Sequence, residues 1–133
     1  MTTRQDIIDT ARKYLGVRYK HQGRTVYGLD CLGLLVRVAH DLGLSKDDNT
    51  DYGPVPDGRR LMAEMDARLE RVAKGKPGDV LLMRFDKNPQ HLAIMTDKGI
   101  IHSFAQARAV VEHGLNSEWS DRIVRTYSFR GIE

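Results

Sequence analysis

The sequence predicts an α+β fold, with N-terminal helices packed on a central antiparallel β-sheet. Two observations carry this. The first half places apolar residues at helical spacing, and the second half alternates them at strand spacing. Helices grouped ahead of strands favour α+β over an alternating α/β order. There are no internal repeats or long linkers, and 133 residues suit a single domain spanning 1–133.

Each element has its own signal. The first helix is expected from Asp6 to Leu15, where Ile7, Ala11 and Leu15 share a face and Gly16 follows as a stop. Val17 to Leu29, carrying Gly23 and Gly28, reads as irregular. The second helix starts at Asp30, a good N-cap. Leu34, Leu35, Val38 and Leu42 form its apolar face and Gly43 ends it. Its few charges mark it as the central buried helix. Ser45 to Asp57 reads as a surface loop, acidic at first and then broken by Gly53, Pro54 and Pro56. A third helix is expected over Gly58 to Val72, on Leu61, Met65 and Leu69. Lys76-Pro77-Gly78-Asp79 has Pro and Gly at the central positions of a type II turn. Strands follow at Val80–Phe85, His91–Thr96, Ile100–Phe104, Ala109–His113 and Ile123–Phe129, with a short helical turn capped by Asn116 before the last.

Composition excludes several classes. The chain is 41% hydrophobic and 29% charged, a globular balance. One cysteine forms neither an intramolecular disulfide nor a multi-cysteine zinc scaffold. No apolar run is long enough for a membrane span. Met1-Thr2-Thr3-Arg4-Gln5-Asp6 lacks the basic start and apolar core of a signal peptide, so synthesis in the cytoplasm without general secretory export is expected. The net charge is +3, but Arg59, Arg60, Lys74, Lys76, Arg122 and Arg125 are scattered. No stripe interleaves them with aromatics, so no nucleic-acid partner is expected.

Cys31 is the residue with most chemical promise. It sits in the first helical turn after Asp30, where free backbone N–H groups and the helix dipole favour a thiolate. The Asp30 carboxylate works against that charge. Gly33 leaves room one turn in. His91 and His102 lie downstream on predicted strands, as a base and its orienting partner would. A two-residue hairpin loop, Asp97-Lys98 or Lys98-Gly99, puts His102 opposite Ala93 or Met95, on the face that His91 shares. A three-residue loop without a bulge separates them. One thiolate and two imidazoles are also a zinc ligand set, but no close ligand pair supports a metal.

These residues carry a resemblance. Asp30-Cys31-Leu32-Gly33-Leu34, His91-Leu92-Ala93-Ile94-Met95 and Ile100-Ile101-His102-Ser103 resemble the NlpC-type family of bacterial cell-wall cysteine peptidases. Leu15-Gly16-Val17-Arg18-Tyr19 and Lys76-Pro77-Gly78-Asp79-Val80 are similar to further family blocks, so the likeness runs from about Ile7 to Phe104. It implies a papain-like fold. It implies Cys31 as nucleophile, His91 as general base and His102 as the residue orienting His91. The Tyr19 hydroxyl and the Cys31 backbone N–H are implied oxyanion donors. The implied substrate is the peptidoglycan stem peptide, commonly cut at the γ-D-glutamyl bond to a diamino acid. No cofactor is implied.

Leu32, Leu34, Ala93 and Met95 depart from the family's usual Ser, aromatic, Gly and Tyr, which bears on substrate preference. The form Tyr27-Gly28-Leu29-Asp30-Cys31 in a short chain looks most like the phage and prophage tail-associated branch, which implies phage tail proteins as partners and delivery to the wall. Three other readings stand beside it: a tail-assembly or binding module without hydrolysis, an injected antibacterial effector amidase, and lipid acyl transfer. Among the remaining side chains, His113 is a weaker alternative third member. His21 and His40 read as exposed, Trp119 as a core or lid residue, and Arg18 and Lys20 as a solvated pair.

Overall fold

The structure is a computed structural model that describes residues 1–53 and 57–133. Pro54 and Pro56 of the expected surface loop lie outside the described residues. Helix α1 (Arg4–Arg12) opens with a reciprocal cap between Thr3 and Asp6. It ends earlier than the apolar spacing predicts. The chain turns so that the Gly16 N–H donates to the Val110 carbonyl, Tyr14 takes the buried place, and Leu15 is left 43% exposed. The stretch read as irregular contains a small hairpin, β1 (Arg24–Thr25) with β2 (Gly28–Leu29). Two-residue strands are too short for an alternation signal.

Helix α2 (Cys31–Asp41) begins where expected and buries Leu34, Leu35 and Val38. Helix α3 (Gly58–Arg68) stops before Leu69, and the predicted helix end is instead strand β3 (Glu70–Val72), paired with the last strand, β8 (Ile123–Ser128). The edge of β8 offers free backbone partners there, and local helical spacing cannot report a pairing with residues almost sixty positions away. The Lys76–Asp79 turn forms, closed by the Asp79 N–H to the Lys76 carbonyl at 2.9 Å.

The main strands are β4 (Val80–Phe85), β5 (Asn88–Thr96), β6 (Gly99–Phe104), β7 (Ala109–His113) and β8 (Ile123–Ser128), with the short helix α4 (Ser117–Ser120) before β8. The sheet order is β3-β8-β4-β5-β6-β7, antiparallel throughout. Strict alternation splits its residues between two cores. Leu82, Leu92, Ile94 and Ile101 pack with α1 and α2 through Ile7, Ala11, Leu34 and Val38. Leu81, Met83, Ala93 and Ile100 form the opposite core, covered by Met95, Leu115, Trp119 and Ile123. No helix is long and apolar enough to cross a membrane among the described residues.

Candidate active site

Cys31 owes its position to Asp30. The Asp30 carboxylate caps α2 by accepting the Gly33 N–H at 2.7 Å. It also accepts the Gln22 N–H at 2.8 Å, the Tyr52 hydroxyl at 2.5 Å and Arg24 Nη1 at 3.1 Å. Four donors hold a buried carboxylate beside the thiol and satisfy its lone pairs. A Cβ at Gly33 would collide with the Gly23 carbonyl, so this first turn accepts only glycine there.

Cys31, Tyr19 and His91 line one cleft of about 490 Å³, together with Phe85, Gln90 and Phe104. The far wall comes from the segment around Asp47 to Tyr52 and from Arg60 and Glu64 on α3. A smaller groove of about 90 Å³ between α2 and α3 holds none of the reactive side chains. The β5–β6 ladder is paired only from Ile94↔Ile101 down to the turn. Beyond it, the Leu92 backbone N–H is aimed at the Cys31 sulfur.

The hairpin has the two-residue loop, Asp97-Lys98, with Thr96 opposite Gly99. His91 and His102 therefore share a face, and the His91 Nε2 lies 2.6 Å from the His102 Nδ1. The other ring nitrogen of His102 lies 2.9 Å from the His113 Nε2, and the His113 Nδ1 lies 3.0 Å from the Gly114 carbonyl oxygen. His113 is thus a neighbour of His102 and not of His91. Trp119 packs edge-on to His102 with centroids 5.0 Å apart, and Phe104 stacks on it at 5.2 Å.

The electrostatics differ from the expected stabilised thiolate. Desolvation pushes the Cys31 thiol up to about 12, and Asp30 adds to the rise. The N–H groups of Leu92, Leu32 and Cys31 pull it back only in part. Burial, then neighbouring His102 and Arg122, pushes His91 down to about 3. Burial and His113 push His102 down to about 3 as well. Desolvation thus favours the neutral thiol of Cys31 and the neutral imidazoles of His91 and His102. Tyr19 is pushed up to about 12 by burial, with Cys31 and Asp30 adding to it, so it remains a neutral donor.

Other expectations need correction. His21 is half-buried and packs edge-on to Tyr52 at 5.3 Å, on the cleft rim. His40 is half-buried and contacts the Asp47 carbonyl at 3.1 Å. Arg18 and Lys20 are exposed, as read. Tyr52 and Arg24 carry no motif signal. Only the place of Tyr52 as the one aromatic in an acidic stretch marks it.

Residues 16–128 match the sequence model of the NlpC/P60 family. No curated protein sequence matches the chain significantly. Among solved structures, an NlpC/P60 family protein from Bacillus cereus ATCC 10987 is similar at TM-score 0.75 and 22% identity, covering 96% of this chain and 40% of that one. The NlpC/p60 domain of peptidoglycan hydrolase SagA is similar at TM-score 0.66 and 23% identity, covering 96% and 99%. A lipoprotein-like NLP/P60 family protein from Staphylococcus aureus subsp. aureus Mu50 gives TM-score 0.69 and 20% identity, covering 95% and 41%. The chain thus spans about two-fifths of the Bacillus and Staphylococcus chains and nearly all of the SagA domain. These likenesses establish the papain-like α+β fold.

Proposed function

The chain belongs to the NlpC/P60 family, and from that premise we propose that it is a cysteine peptidase that hydrolyses peptidoglycan stem peptides. Cys31 is the nucleophile and His91 the general base. The observation that carries this is the engagement of the His91 Nε2 by His102 at 2.6 Å, which leaves the His91 Nδ1 for the thiol in a shared cleft.

A bound peptide carbonyl is attacked by the Cys31 sulfur as the thiol proton moves to the His91 Nδ1. The new C–S bond forms and the carbonyl electron pair moves to oxygen. The Cys31 backbone N–H and the Tyr19 hydroxyl supply donors to that oxyanion. His91 then gives its proton to the leaving amine as the C–N bond breaks. Water, deprotonated by His91, attacks the acyl-enzyme. The carboxyl product leaves and the thiol regains its proton. His102 orients His91 and supports the imidazolium while it exists.

Membership of the family supports the γ-D-glutamyl bond to a diamino acid as the bond cut, and the form of the cysteine block supports a phage or prophage tail as the carrier that delivers the enzyme to the wall. Digestion of purified muropeptides, with products read by mass, tests both bond and chemistry. Wild type is expected to split the stem at that bond and Cys31→Ala to leave it whole. No cleavage by wild type across several wall chemotypes overturns the proposal.

A further inference from the structure

We infer that His113 is a positioning residue that sets the tautomer of the catalytic base through His102. The inference rests on the proposed function and deepens it. The direction of the chain is dictated at its outer end. The Gly114 carbonyl can only accept, so the His113 Nδ1, 3.0 Å away, must carry a proton. A neutral His113 then has a bare Nε2. That nitrogen lies 2.9 Å from the His102 Nε2, which must donate to it. A neutral His102 is consequently bare at Nδ1, and the His91 Nε2, 2.6 Å away, must donate in turn. His91 is left with its lone pair on Nδ1, the form a general base needs. One backbone carbonyl thus orders three imidazoles.

The surroundings keep this order from scrambling. His102 is fully buried, so neither ring nitrogen can exchange its partner for water without cost. Phe104 stacks on its ring, and Trp119 packs against both His102 and His113. Without His113, the His102 Nε2 has no acceptor. His102 can then place its proton on Nδ1 and donate to the His91 Nε2, which forces the His91 proton onto Nδ1. In that form His91 cannot take the thiol proton.

The test uses the full chain and two variants. His113→Phe keeps a ring but removes acceptor and donor. His113→Gln keeps an amide oxygen able to accept from His102. Long-range proton–nitrogen correlation spectra of the imidazoles report tautomers without any substrate. Wild type is expected to show His91 and His102 protonated at Nε2 and His113 at Nδ1. His113→Phe is expected to shift His91 toward the Nδ1–H form and to lower kcat on muropeptides at least about 10-fold with KM little changed, since a wrong tautomer at a catalytic histidine can cost orders of magnitude. His113→Gln is expected to restore both. A wild-type spectrum with His91 protonated at Nδ1 overturns the inference. So does a His113→Phe variant with unchanged His91 tautomer and kcat. Absence of any muropeptide cleavage would overturn the proposed function alone, and the spectra would still decide the role of His113.

Discussion

Cys31 draws on opposing forces within one residue's reach. The start of α2 and the Leu92 N–H favour its thiolate, while desolvation and the Asp30 charge oppose it more strongly. Native Cys31 should therefore react with iodoacetamide at pH 9 more slowly than the same thiol in the urea-unfolded chain. Its rate should keep climbing above that pH, whereas a plateau near pH 9 would mean an ordinary thiol. Asp30→Asn removes the adjacent charge, so alkylation at a given pH should speed up. The same change should lower stability by about 1–3 kcal/mol, because four donors lose their anionic acceptor. Chemical denaturation measures it. Cys31 and its cap are legible in the sequence, because a capping residue acts on the very next turn. The raised thiol is not, since burial is a property of the elements that close around it.

At the scale of elements, two glycines hold parts of the site together. Gly33 lets the first turn of α2 pass against the Gly23 carbonyl. Gly33→Ala should cost on the order of 2–3 kcal/mol through overpacking against backbone, and thermal melting would register it. Gly99 begins β6 at φ +136°, and a Cβ there would collide with the His113 carbonyl. Gly99→Ala should displace β7 from β6, separate His113 from His102, and lower activity along with stability. The sequence limits the β5–β6 hairpin to two parities, and the two-residue loop that the structure adopts selects the one with His91 and His102 on one face. Strand β3 was hidden because Glu70–Val72 continues a helical pattern locally and becomes a strand only through β8.

For the whole molecule, the two buried histidines and the desolvated thiol of Cys31 set the pH window of stability. His91 and His102 titrate near 6.5 when unfolded and about 3 when folded. Between those values the unfolded chain binds more protons, so stability falls as pH drops below 6.5. Each histidine contributes a slope of up to about 1.4 kcal/mol per pH unit. Cys31 behaves oppositely at high pH: its thiol ionises near 9.0 unfolded and about 12 folded, so stability falls as pH rises above 9.0. Denaturation midpoints should be highest between those limits, and the acid-side loss between pH 6.5 and about 5 should shrink in a His102→Gln variant. The segment from Asp48 to Tyr52 is strapped to the site by Arg24, which reaches Asp48, the Asn49 carbonyl and the Tyr52 hydroxyl. Tyr52→Phe removes one donor from Asp30 and loosens that cleft wall. A higher KM with smaller change in kcat is the expected result on muropeptides.

The sequence by itself determined the α+β class and the cap that starts α2 at Cys31, and it narrowed the relation of His91 and His102 to a shared face if the hairpin loop has two residues. Each depends on neighbours within a turn or a hairpin, where spacing limits geometry. Tertiary structure decided the rest: the desolvation that favours the neutral thiol and imidazoles, the Asp30 contacts with Tyr52 and Arg24, and the continuation from His102 to His113 and the Gly114 carbonyl. Desolvation and ring-to-ring hydrogen bonds arise only when elements distant in sequence pack together, and no local spacing encodes them.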